Sequence, residues 1–213
     1  FSFAGMFESV LGVRSYPALA DAIRVCWAST FGARVLYYRL TRGMPSEMPV
    51  AVIVQQMIAS EKSGVLFTVD PATRDDTRVV IEAAWGVGEV VVGGQVTPDH
   101  YVVDKASGRV LERSTPRKDF LIETLPTGGT RHVDLSADPR MDAPVLNDAE
   151  LAELVSLGRK SETHYGAPQD MEFAIANSRI YLTQTRPITT LTPAATSSVT
   201  APSSAPSAGP API

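Results

Sequence analysis

The sequence has one cysteine, Cys26, in 213 residues, so it can close no internal disulfide, and no Cys/His cluster has the spacing of a zinc site. No apolar run reaches the roughly 20 residues that a membrane-spanning helix needs, and no signal-peptide pattern opens the chain. A cytoplasmic setting is the expectation. Positive charge is not in excess: 19 Lys and Arg stand against 23 Asp and Glu, for a formal net charge of −4. That balance argues against a nucleic-acid or membrane partner, which would select a basic face, while leaving room for a local basic pocket. An initial methionine is also lacking. The chain opens on Phe1-Ser2-Phe3 within what reads as structured sequence, so the expectation is a piece of something longer. What is present is the mixture of a globular domain with a real core: 44% hydrophobic residues, 20% charged, and a mean hydropathy of +0.03.

From Met6 to about Gly43 the pattern is helical, with Leu19, Ile23, Cys26 and Trp27 at helical spacing and Pro17 suited to a first turn. Cys26 falls among the apolar positions, as a small core residue rather than a nucleophile. Arg42-Gly43-Met44-Pro45 ends that region. The texture then changes. Val50–Val54 and Gly64–Val69 are β-branched runs joined by a polar loop, which predicts a hairpin. Asp70-Pro71 predicts a turn, and Arg78–Ala83 and His100–Asp104 predict strands, with the glycine-rich Trp85-Gly86-Val87-Gly88-Glu89 between them. Ala106-Ser107-Gly108 then turns the chain back into Arg109-Val110-Leu111. Asn147-Asp148-Ala149-Glu150 has the form of a capping box, opening a helix with Leu151, Leu154, Val155 and Leu157 on one side and a stop near Gly166. Met171–Ala176 and Ile180–Thr185 predict two strands around Asn177-Ser178.

From Thr192 to Ile213 only Thr, Pro, Ala, Ser, Val, Gly and Ile occur, which predicts a disordered linker with something attached beyond it. The resulting organisation is a helical segment over 1–45, a β-rich portion with a late helix over 46–190, and a linker over 191–213. Helices first and then mostly antiparallel strands predict an α+β fold.

The closing pair of strands holds the most informative chemistry. Gln184 and Arg186 are two apart and share a face. A two-residue Asn-Ser turn would face Glu172 away from Gln184, whereas an odd loop of three or five residues would bring all three to one face. A carboxylate, an amide oxygen and a guanidinium on one face suit a magnesium-bound nucleotide. Magnesium takes one or two protein oxygens together with phosphates, and arginine holds phosphate oxygens bidentately. The plain alternative is a surface pair between Glu172 and Arg186, and spacing alone leans that way.

Asp170-Met171-Glu172-Phe173-Ala174-Ile175, followed by Tyr181-Leu182-Thr183-Gln184-Thr185-Arg186-Pro187-Ile188-Thr189, resembles the end of the ATP-grasp domain in the phosphoenolpyruvate synthase, pyruvate phosphate dikinase and rifampin phosphotransferase group. Other segments agree in the family's order: Ser2-Phe3-Ala4-Gly5, Val54-Gln55-Gln56-Met57, Ser63 to Pro71, Glu82 to Glu89, Pro98-Asp99-His100-Tyr101 and His164 to Asp170. The match covers residues 1–190, and it implies an ATP-grasp-like partial domain, a mostly antiparallel sheet with flanking helices, that uses ATP and Mg2+. It implies Glu172 and Gln184 as magnesium ligands, and Arg186 as the catalytic clamp on a terminal phosphate. Gln55 and Met57 would lie on a strand lining the adenine pocket, and Gly5 and Ser9 in a loop and helix start near the phosphates. The family often has Thr at the place of Ser9, so the hydroxyl is kept; Met6 stands where Gln is frequent, and a polar contact is lost.

The parent enzyme so implied cleaves ATP, phosphorylates its own histidine and passes that phosphate to pyruvate. The lysine-bearing first half of the ATP-grasp domain and the phosphohistidine domain are partners outside this sequence. The expectation is therefore weak nucleotide binding without turnover, because phosphoryl transfer depends on a complete cradle. Rifampin phosphotransferase, with a different acceptor, is a sibling reading. A non-catalytic nucleotide-binding or docking module completed by another chain is a reading of a different class. Glu82 and Glu89 are open candidates for the metal or ribose, and Trp85 reads as core. Gly128-Gly129-Thr130-Arg131-His132 superficially resembles a phosphohistidine motif but lacks its small following residues, so His132 reads as a surface turn residue. His100 and His164 read as structural, since no Ser/Asp or Cys arrangement completes a triad.

Overall fold

Residues 5–45, 49–88, 91, 94 and 96–188 are described by a computed structural model. Helix α1 (Tyr16–Ser29) starts at Ser15, whose Oγ accepts from the Ala18 amide at 3.3 Å, with Pro17 in the first turn. A break at Thr30–Gly32 precedes α2 (Ala33–Thr41). The helical region expected from Met6 is thus shorter. Residues 5–15 form an irregular loop, and Gly12, at φ 69, holds a left-handed conformation that no helix contains. Cys26 is half-buried; the residue that α1 buries fully is Ala22.

One sheet contains β1 (Lys62–Phe67), β2 (Arg78–Trp85), β3 (Asp99–Asp104), β4 (Val110–Ser114), β7 (Gln169–Ala176) and β8 (Arg179–Pro187). Their order is β4-β3-β2-β1-β7-β8, with every neighbouring pair antiparallel. A separate hairpin is made of β5 (Phe120–Thr124) and β6 (Thr130–Asp134). This is the α+β class with a mostly antiparallel sheet that the element order predicted. The hairpin expected between Val50–Val54 and Gly64–Val69 does not form. Both edges of β1 are taken, by β2 and β7, and residues 49–61 contain no strand. β-branched composition favours a strand only where a neighbouring edge is free. Ile53 and Val54 are instead 87% and 62% exposed.

Helix α3 (Asp148–Tyr165) covers one sheet face. Its capping box is complete: the Glu150 amide donates to Asn147 Oδ1 and the Asn147 amide to Glu150 Oε2, both at 2.9 Å. Left-handed Gly166 ends it. Leu151, Leu154 and Val155 meet Leu66, Ile81, Tyr101, Met171, Phe173 and Ile175 in the main core; each fully buried side chain of this kind contributes about 1.5–3 kcal/mol. Leu157, expected on the same side, is half-buried. A smaller cluster of Ala84, Val87 and Ile122 lies apart, with Leu11, Met57, Val91, Val96 and Phe120 packed against it. No helix among the described residues is long and apolar enough to cross a membrane. The linker predicted from Thr192 lies outside the described residues.

Three segments are tied at Asp99, which has no solvent exposure. Its carboxylate accepts from Lys118 Nζ at 2.5 Å, from the Tyr101 hydroxyl at 2.8 Å and from the Val145 amide at 2.7 Å. Lys118 also donates to the Pro116 carbonyl, and the Leu146 amide donates to the Tyr101 oxygen. Burial pushes the Tyr101 phenol well above its ordinary pKa, so it stays a donor. A buried pair is costly to break from one side, because the remaining charge keeps its desolvation penalty. Asp99→Ala is expected to lower the unfolding free energy by about 3–5 kcal/mol in urea denaturation, and a loss under about 1 kcal/mol would refute this role.

Candidate functional site

Strands β7 and β8 are joined by Asn177 and Ser178, both left-handed at φ 51 and 57, the backbone of a tight two-residue hairpin. Outward from the turn, Ala176 pairs with Arg179, Ile175 with Ile180, Ala174 with Tyr181 and Phe173 with Leu182. Continued unchanged, that register would set Glu172 opposite Thr183 and put Gln184 on the other face. A β-bulge intervenes instead. Thr183 is the extra residue, and beyond it Glu172 pairs with Gln184, Met171 with Thr185 and Asp170 with Arg186. The turn is therefore the short one, yet the polar groups converge. The inserted residue restores the parity that the loop length removes. Gln55 Nε2 donates to the Thr183 carbonyl at 2.9 Å, giving the bulged residue a partner outside the ladder.

On the resulting face, Gln184 Nε2 lies 3.2 Å from Glu172 Oε1. Arg186 reaches Asp170 Oδ2 through Nε at 2.9 Å and through a terminal nitrogen at 2.7 Å. The surface pair considered from the sequence thus forms with Asp170, not Glu172. Asp170 was missed as a site residue, although its place two residues before Glu172 was the available signal. Burial raises the Glu172 carboxyl above its ordinary pKa, the charge of Asp170 raises it further, and Arg186 offsets part of this. The cross-strand register continues from Glu172 to Val65, Glu82 and His100. Glu82 therefore shares the face, two strands from Glu172, with its Oε1 3.6 Å from His100 Nδ1. Glu89 lies outside the described residues.

Among the described residues, no three His, Cys, Asp or Glu side chains form a metal cage. One carboxylate beside one amide fits magnesium on a nucleotide, where phosphates and water supply the other ligands. The Gln184 amide can present its oxygen by a half rotation.

The remaining predicted residues lie elsewhere. Gln55 and Met57 are not on a strand: Gln55 is exposed beside the bulge, and Met57 packs against the smaller cluster. Ser9 is exposed in the loop ahead of α1, and no helix starts there, because Ser15 and Pro17 fix the start farther on. Gly5, at φ 64, accepts from Arg34 through its carbonyl at 2.7 Å. Trp85 packs half-buried against the main core and donates to the Arg140 carbonyl at 3.0 Å. His132 is not in a turn. It sits in β6 opposite Ile122, with its ring stacked on Phe120 at 4.9 Å. Gly86, in the glycine-rich stretch, has φ 84, and a Cβ there would lie 2.1 Å from the Ile122 carbonyl oxygen. Its lack of a side chain is what lets β5 dock.

The fold is thus a mostly antiparallel sheet, covered by a helix on one face and carrying Asp170, Glu172, Gln184 and Arg186 on the other. Comparison with known proteins makes this specific: the chain belongs to the family described as pyruvate phosphate dikinase, AMP/ATP-binding domain, whose model matches residues 1–205. It is 44% identical to a probable phosphoenolpyruvate synthase of Methanothermobacter thermautotrophicus, over 89% of this chain and 28% of that protein. It is 38% identical to the phosphoenolpyruvate synthase of Pyrococcus furiosus, over 92% of this chain and 25% of the relative. A rifampicin phosphotransferase of Streptomyces sviceus is 39% identical, over 90% of this chain and 22% of the relative. The chain spans about a quarter of the length of these relatives.

The Glu172 environment has a measurable consequence. Because its folded pKa lies above the ordinary value of 4.5, the ionised carboxylate weakens the fold as pH rises through 4.5 and beyond. Glu172→Gln is expected to match the parent Tm near pH 3 and exceed it near pH 7. A lower Tm for the variant at pH 7 would mean that its neighbours stabilise the ionised carboxylate.

Proposed function

We propose that this chain holds the magnesium-bound polyphosphate of ATP on the face formed by Glu172, Gln184 and Arg186, as part of a dikinase-type phosphotransferase. The observation that carries this reading is the bulge at Thr183, which sets Glu172 opposite Gln184 with Arg186 one step along the same face. Glu172 and Gln184 would be the protein ligands of magnesium, which when bound neutralises phosphate charge. Arg186 acts as the clamp on a terminal phosphate. Its guanidinium, half-exposed and held by the largely buried Asp170 carboxylate, keeps an open side that a phosphate can take. Gly5 and Ser9 offer loop amides and a hydroxyl to the phosphates, while Gln55 and Met57 face the base. Phosphoryl transfer requires little covalent chemistry from the protein, so these residues act by positioning and charge neutralisation.

In the whole protein, residues 1–45 and 46–190 would complete the ATP-binding domain with a preceding half, and a carrier histidine on a further domain would take the phosphate and pass it to pyruvate in the cytoplasm. The phosphoenolpyruvate synthases among the relatives support that acceptor. The rifampicin phosphotransferase supports the same ATP chemistry with an antibiotic as acceptor. By itself the chain binds nucleotide without turnover.

Calorimetric titration of the 213-residue chain with ATP, with and without magnesium, tests this reading. Magnesium is expected to strengthen ATP binding in the parent chain but not in Glu172→Gln or in a variant lacking Thr183. Arg186→Ala should weaken ATP roughly 10-fold or more, as loss of a charged hydrogen bond predicts, and AMP much less. Absence of any magnesium-dependent binding at millimolar ATP would sink the proposal.

A further inference from the structure

The tip of the β5–β6 hairpin meets the loop ahead of α1 main chain to main chain at Gly12, with the Arg14 side chain beside Gly128. The Gly129 amide donates to the Gly12 carbonyl at 3.0 Å. A Cβ on Gly12 would lie 2.6 Å from both the nitrogen and the oxygen of Gly129, and one on Gly128 would lie 3.1 Å from the Gly12 oxygen. At Gly12 every near atom is backbone, so no side chain fits and no flexible group can move aside. At Gly128 the Arg14 side chain also lies near, 3.3 Å from the added Cβ. At its other end the hairpin is tied to the sheet, where the Val87 amide donates to the Ile122 carbonyl at 2.8 Å and Gly86 bridges to Ile122. Between these ends, Leu11 of the loop and Met57 pack against the Ala84–Val87–Ile122 cluster. The hairpin therefore connects β2, which carries Glu82, to the loop that carries Gly5 and Ser9, without using the helix-covered core.

We infer that this hairpin is a clasp: it seats the loop of residues 5–15 by backbone contact at Gly12 and so positions the phosphate-side arm of the nucleotide site. The inference rests on the nucleotide reading above. Gly12 is a positioning residue, acting through the loop and touching no ligand.

The test compares Gly12→Ala with Gly108→Ala in the full chain. Both glycines are left-handed, at φ 69 and 72, but a Cβ on Gly108 meets nothing within 4 Å, so the control carries the backbone strain without the clash. Should Gly12→Ala fail to fold, Gly128→Ala replaces it. Amide exchange at residues 5–15 and 125–130 is expected to quicken at least tenfold in Gly12→Ala relative to the control, with β1, β2 and β7 unchanged. Dissociation constants for Mg-ATP should rise about fivefold or more, while adenosine, which lacks phosphates, should bind as before. Unchanged exchange would overturn the clasp. Faster exchange with unchanged Mg-ATP affinity would overturn the positioning role and leave the nucleotide reading standing. A parent chain that binds no Mg-ATP would remove that reading and the phosphate half of this inference with it, and exchange alone would then decide whether the clasp exists.

Discussion

Asp99 is a carboxylate without solvent contact, and its two oxygens take a lysine ammonium, a phenol and a backbone amide from three separate parts of the chain. Lys118 leads directly into β5, so the smaller hairpin is anchored there. Val145 and Leu146 lead into the capping box of α3, so the helix that covers the sheet is anchored there as well. A carboxylate placed in a core is unfavourable unless its lone pairs are filled. The requirement works in both directions: the ion forces three segments to arrive together, and their arrival is what allows the ion to be buried.

The two faces of the sheet are consequently free to do different work. The helix face holds Leu66, Ile81, Tyr101, Met171 and Phe173 and carries most of the apolar stabilisation. The other carries Asp170, Glu172, Gln184 and Arg186, with Glu82 and His100 farther along. Such a face gains little from its own ion pairs, which water screens. Burial of Glu172 beside Asp170 even opposes ionisation. On the proposed reading, a bound cation would relieve that unfavourable charge and a phosphate would take the arginine.

Backbone features, more than side chains, set the geometry of this region. The Thr183 bulge decides which side Gln184 faces. Gly86 allows β5 to dock on the sheet, and Gly12 with Gly128 lets the hairpin tip meet the loop ahead of α1. In each case a difference of one atom or one residue decides how two segments meet. A rigid backbone can hold a polar constellation open to solvent without the many side-chain contacts that would otherwise fill it.

The sequence by itself determined the local elements whose signals are short-range: the capping box at Asn147 and Glu150, the glycine stop at Gly166, and the strands on either side of Asn177-Ser178, though not the length of the loop between them. It also carried the ordered motifs that identify the family, since these are residue types in series and need no coordinates. It misjudged Val50–Val54, because a β-branched run becomes a strand only when an edge is free to pair with it, and whether β1 had a free edge depended on β2 and β7. It left open the side on which Glu172 meets Gln184, because side chains alternate along a strand and a single inserted residue reverses the answer. Only the tertiary structure decided that, by bulging Thr183 outward to the Gln55 side chain, a partner 128 positions away along the chain.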